Sequence, residues 1–124
     1  MDIEQEKRIR KEKNKLKKIF KDISEDKKKL CENLIMNAAF MAVTLEDLQE
    51  KIGTDGAIIS AINGNGFKTV QENPAQKSYN TMINRYTAVI KQLQDLLPDN
   101  KTDTVNRAGE ALAQFVARGK PGGI

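Results

Sequence analysis

Nine cations crowd the stretch from position 7 to position 21: Lys7, Arg8, Arg10, Lys11, Lys13, Lys15, Lys17, Lys18 and Lys21, with Lys27 and Lys28 shortly after. Side chains of this type bind phosphates. Each one that neutralises a phosphate releases a condensed counterion, and the gain accumulates with the number of contacts. The charge balance along the chain points the same way. Residues 1–29 hold 12 basic and 7 acidic groups, whereas residues 30–124 hold 9 and 10. A basic front on a near-neutral body suggests nucleic acid as first partner and an acidic membrane surface as second. The competing reading is a solvated helix whose interspersed Glu4, Glu6 and Glu12 only keep it soluble. Readout of base edges is not legible, for there is neither a helix-turn-helix with a clear turn glycine nor an aromatic RNA-binding signature.

Other chemistries lack their residues. Histidine is absent and Cys31 is the single cysteine, which removes the commonest general base and leaves no plausible zinc site. No intramolecular disulfide can form, so a reducing compartment is expected, and Cys31 beside an apolar run reads as a small buried hydrophobe rather than a reactive thiol. Gly64 and Gly66 tempt a phosphate-loop reading, but no G-x-x-x-x-G-K-[ST] is present, and Thr69 stands where a dinucleotide fingerprint wants glycine. No catalytic constellation, cofactor or metal is expected. No apolar run follows the N-terminal charges as it would in a signal peptide.

The elements that must position the cations follow from periodicity. Met1–Lys21 has no Gly or Pro and reads as a helix with a thin apolar seam of Ile9, Leu16, Ile19 and Phe20. Ser24 is a good N-cap for a second helix running from about Glu25 to Ile52, with Gly53 as its stop. Thr44-Leu45-Glu46-Asp47 resembles a capping box and allows a kink or restart there. Two short β-branched runs, Ala57–Ile62 and Phe67–Val70, flank Asn63-Gly64-Asn65-Gly66 and predict a hairpin with a type I′ turn. Asn73-Pro74 opens a helix to Leu97 with Tyr79, Met82, Ile83, Tyr86, Ile90, Leu93 and Leu97 on one stripe; Pro98 stops it. Asp99–Arg107 reads as linker, then Val105, Ala108, Leu112, Phe115 and Val116 mark a short amphipathic helix before a flexible glycine-rich tail. The expected units are a basic helical arm at 1–22, a helix–hairpin–helix core at 23–98, and a linker, helix and tail at 99–124.

The centre of the chain adds a constraint. Ten of the twelve residues from Leu34 to Leu45 are apolar. Leu30, Leu34, Ala38, Met41, Leu45, Leu48 and Ile52 form one stripe, while Ile35, Met36, Ala39, Phe40 and Val43 cover the rest of the circumference. A helix apolar all round must be buried all round, and this one is too short to cross a bilayer, which needs about 20 residues. A body of this size leaves much of its surface exposed, so a second copy is expected to cover Ile35, Met36, Ala39, Phe40 and Val43. The expected fold is mainly α. Two long antiparallel helices are joined by a short β-hairpin, with an N-terminal basic helix and a short C-terminal helix, and the whole assembles into an oligomer.

The run from Glu72 to Tyr86 (ENPAQKSYNTMINRY), ending in Gln92-Leu93-Gln94-Asp95-Leu96-Leu97-Pro98, resembles the signature helix of phage terminase small subunits. The likeness is to the type found in tailed phages and prophages of Gram-positive hosts. Arg10–Phe20, Lys27-Lys28-Lys29-Leu30 and Ala38–Leu48 match in order and spacing, so the resemblance covers about residues 8–98. It implies a non-enzymatic DNA-packaging component in the cytoplasm of the bacterial host. Such subunits form rings, recognise double-stranded viral DNA, and recruit and regulate the large subunit that carries the ATPase and nuclease. The resemblance places no residue on DNA. Members of the family often end in an acidic tail, whereas Asn106–Arg118 is nearly uncharged, so a tail contact with the large subunit is not carried over. The alternative is a protein-interaction or structural subunit with no direct DNA binding.

Overall fold

The structure is a computed structural model describing residues 2–62, 64–97 and 103–118. In chain order it has α1 (Ile3–Ile19), α2 (Glu25–Asp55), β1 (Ile58–Ile62), β2 (Lys68–Glu72), α3 (Pro74–Leu96) and α4 (Asp103–Arg118). The mainly helical fold with one two-stranded antiparallel sheet agrees with the sequence reading.

α2 is the axis of the molecule. α1 packs along one side of it and α3 along another, while α4 lies against α1 and α3. Three alanines, Ala38, Ala39 and Ala42, are buried in the middle of α2, where small side chains let both neighbours approach closely. The larger core joins Leu16 and Phe20 of the N-terminal segment, Cys31, Leu34, Ile35 and Leu45 of α2, Tyr86, Val89 and Leu93 of α3, and Leu112 and Phe115 of α4. A smaller cluster, Ile9 with Ala39 and Val43, seals α1 to α2. The short amphipathic α4 therefore docks on its own chain.

This arrangement corrects the expectation for the central helix. Ile35, Ala39 and Val43 are 2%, 0% and 1% exposed within a single chain. The apolar seam of α1, expected to be thin, supplies the second cover that the sequence reading assigned to another copy. Met36 and Phe40 differ, remaining 47% and 40% exposed. Leu30, placed on the buried stripe by its spacing, is also exposed, although the adjacent Cys31 is buried in the core.

The caps explain the boundaries. Asp2 accepts from the Gln5 amide at 2.7 Å and starts α1. Ser24 occupies the N-cap of α2, but its side chain makes no cap bond. Instead a hydrogen bond from that side chain, and then the Asp26 amide, hold the Asp26 carboxyl below its usual range. α2 runs past Gly53 and stops at Gly56 (φ 86°), whose amide donates to the Ile52 carbonyl at 2.7 Å. A helical glycine costs about 1 kcal/mol relative to alanine, too little to end a helix that gains another turn and a Lys51–Asp55 ion pair at 2.9 Å. Thr44 does not restart the helix, since its hydroxyl donates back to the Phe40 carbonyl at 2.9 Å.

Asn73 joins three elements. Its side-chain oxygen accepts from Ala75 at 2.9 Å to cap α3, its side-chain amide donates to Gly56 O at 2.7 Å, and its backbone amide donates to Ala57 O at 2.8 Å. α3 thus begins where α2 ends and returns along it. Pro74 sits at the first helical position as expected. The hairpin forms, but not with a type I′ turn: the register pairs Ile62 with Lys68, leaving residues 63–67 as the loop, and only Gly66 among its described residues has positive φ. α4 takes in residues 103–107 of the expected linker. Asn63, Pro98, the linker up to 102 and the tail from 119 lie outside the described residues.

Two outcomes follow. Asn73→Ala removes a cap and the bond to Gly56 together, and should lower unfolding stability by about 1–2 kcal/mol in denaturant titration. Cys31 is buried and its burial pushes the thiol up from its ordinary range, so it should react with a thiol reagent far more slowly in the native chain than in denaturant.

Candidate nucleic-acid interface

α1 is amphipathic in an uncommon sense: one face is core and the opposite face is cationic. With Ile9, Leu16 and the following Phe20 turned inward, helical spacing puts Lys7, Lys11 and Lys18 on the outward ridge and Arg10 and Lys17 on one flank. Lys21 continues that flank in the turn. All six are exposed and share an arc of about 120° around the helix axis, interrupted by Asn14 and Ile3 rather than by acid. Glu4 and Glu6 border the arc only at its N-terminal end. From Lys7 to Lys18 the ridge spans roughly 16 Å at 1.5 Å per residue.

The remaining cations of the stretch sit elsewhere. Arg8 turns inward, with Nη1 2.6 Å from Asp47 Oδ1 and Nη2 3.6 Å from Glu46 Oε2 on α2. The hydrogen bond to Asp47 raises its already high pKa. Gln5 reaches the same Asp47 at 3.4 Å, so Arg8 serves to hold α1 on α2. Lys15 pairs with Glu12 at 3.1 Å, and Lys13 is half-buried. Lys27 and Lys28 are exposed in the first turn of α2, Lys28 3.6 Å from Glu25.

The fold brings these groups to one end. α1 and α2 are antiparallel and joined by residues 20–24, so Lys17, Lys18 and Lys21 meet Lys27 and Lys28 at a single corner. Lys29, which the sequence selection stopped short of, is exposed there too. Asp22, Glu25 and Asp26 share the corner and reduce its charge without reversing it. The other end of the pair carries Glu46, Asp47, Glu50 and Asp55. The positive potential is therefore greatest at the corner and along the α1 ridge and least at the opposite end, where Arg8 and Lys51 offset part of the acid. The legible signal for this polarity was the distribution of charge along the chain; which cation faces outward required knowing that the seam of α1 is core.

Beside the ridge an open groove of about 440 Å³ runs between α1 and α2, floored by Ile9, Met36 and Phe40 and edged by Glu6, Arg10 and Lys13. Of the five residues expected at a contact between copies, Met36 and Phe40 alone face this groove from α2; Ile35, Ala39 and Val43 lie beneath the surface. Among the described residues no three acidic or cysteine side chains gather to hold a metal, and no helix is long and apolar enough to cross a membrane. Comparison of the chain with protein-family models, with curated proteins and with solved structures finds no match.

Proposed function

We propose that the chain is the small subunit of a phage terminase, a multimeric, ring-shaped adaptor that grips double-stranded viral DNA through α1 and recruits the large ATPase–nuclease subunit. The observation that carries the DNA-binding part is the outward arc of Lys7, Arg10, Lys11, Lys17, Lys18 and Lys21 on a helix whose opposite face is core. Cations placed on a docked helix are pre-ordered toward phosphates, so binding does not first have to fix the backbone that carries them. Packaging and the large subunit as partner rest on the resemblance of residues 8–98. The multimer rests on Met36 and Phe40, large apolar side chains left partly in water beside the cationic ridge.

Duplex binding by the full chain should weaken steeply with salt. Six phosphate contacts correspond to a slope of about −5 in log K against log salt. Lys11→Ala and Lys18→Ala should each flatten the slope by about 0.9, whereas Arg8→Ala, which loosens α1 instead of losing a phosphate, should leave it unchanged. A slope near zero in the unmodified chain would favour a structural subunit that does not touch DNA. Met36→Glu with Phe40→Glu should lower the native mass with helicity kept, because both side chains are exposed in the single chain; a mass unchanged from the parent's places the contact elsewhere.

A further inference from the structure

The hairpin buries little of itself. Ile58 and Ile62 are largely exposed and Val70 is 74% exposed, although a lone two-stranded ribbon is marginal in water. Its hydrogen-bond phase shows which edge is open. The Asn73 amide donates directly across to Ala57 O, so Ala57/Asn73, Ile59/Gln71 and Ala61/Thr69 are the bonded pairs of the alternating ladder. The N–H and C=O groups of Lys68, Val70 and Glu72 consequently point away from β1, along the outer edge of β2.

That edge reads Lys68-Thr69-Val70-Gln71-Glu72, a cation and an acid placed symmetrically about Val70. Within the hairpin their opposite neighbours are Ile62 and Ile58, which satisfy neither charge. A single sign of charge on an edge strand discourages pairing. Opposite signs at equal distances from a central valine do the reverse when the partner is an antiparallel copy. We propose that β2 is a self-association edge, where two copies of this chain pair antiparallel about Val70 into a four-stranded sheet.

In that register Val70 faces the partner's Val70, and Lys68 faces the partner's Glu72 on both sides of the two-fold axis. Because β2's outward groups all belong to these three residues, about six backbone hydrogen bonds form. Pro74 and Gly66 bound the ladder: proline has no amide to donate, and Gly66 has φ 83°. A parallel arrangement would set Lys68 against Lys68, and a two-residue slip would lose both ion pairs, so the charges select one register. Ile58, Ile62 and Val70 share one face of the hairpin with Ser60, Lys68 and Glu72, and pairing sets the two valines side by side at its centre, flanked by the two ion pairs. β1 has an open edge of its own but carries no charge to set a register.

The contact is separate from Met36 and Phe40 and does not depend on DNA binding, so its test needs no nucleic acid. In the full chain, Val70→Cys should form a disulfide between copies under mild oxidation, since opposed residues in a bonded antiparallel pair lie about 5.5 Å apart at Cα, within disulfide reach. Cys31 is buried and should not compete. Cross-linking of Ser60→Cys in place of Val70→Cys would assign the contact to β1 and overturn the proposal, as would cross-linking of neither. Lys68→Glu and Glu72→Lys, each alone, should weaken the β2 association by about tenfold or more by turning two attractive cross-strand pairs repulsive. The two variants mixed should recover it, because each then opposes its complement. Single variants that cross-link at position 70 as readily as the parent would also overturn it.

Discussion

The structure depends on covering both sides of α2. A helix with leucine and isoleucine on one side and alanine and valine on the other loses stability wherever water reaches it, at roughly 25 cal/mol per Å² of apolar surface. One chain supplies both covers: α3, returning from the Asn73 junction, and α1, folding back from the turn at residues 20–24. Ala38, Ala39 and Ala42 make this geometrically possible, because bulkier residues at the centre would hold the neighbours apart. The core then extends through Leu16, Leu93 and Phe115 to the C-terminal helix.

Placing α1 in the core has an electrostatic counterpart. The Arg8–Asp47 contact is partly exposed and contributes modestly by itself, as such pairs do. Its geometry nonetheless matters, since it neutralises one cation of α1 against the acids of α2. With Ile9 and Leu16 inward and Arg8 engaged at the flank, the lysines that remain are turned to solvent together. Interspersed glutamates do not undo this; Glu12 is occupied with Lys15 on another side of the helix.

Much of the fold could be read from the residues. The apolar period of 74–97, the proline at the first helical turn and the β-branched runs around the glycines are local signals, and local signals survive into the structure. The misreadings share a different cause. Gly53 reads as a stop because glycine often is one, but a helix ends where the backbone leaves the helical region, and it is Gly56, not Gly53, that takes a positive φ. The apolar circumference of α2 reads as a contact between copies because nothing local says that a lysine-rich helix spends its few apolar residues covering it. The cations were visible as a set, whereas their division into an outward ridge and an inward clamp required the fold.

The cationic helix is also structural, and that carries a consequence for change over generations. Substitutions on the ridge are cheap for folding, so its charge can change residue by residue. Loss of the helix as a unit, by contrast, would uncover Ile35, Ala39 and Val43 and endanger the whole chain. Selection for a folded body thus preserves the helix whatever charges its outward face carries.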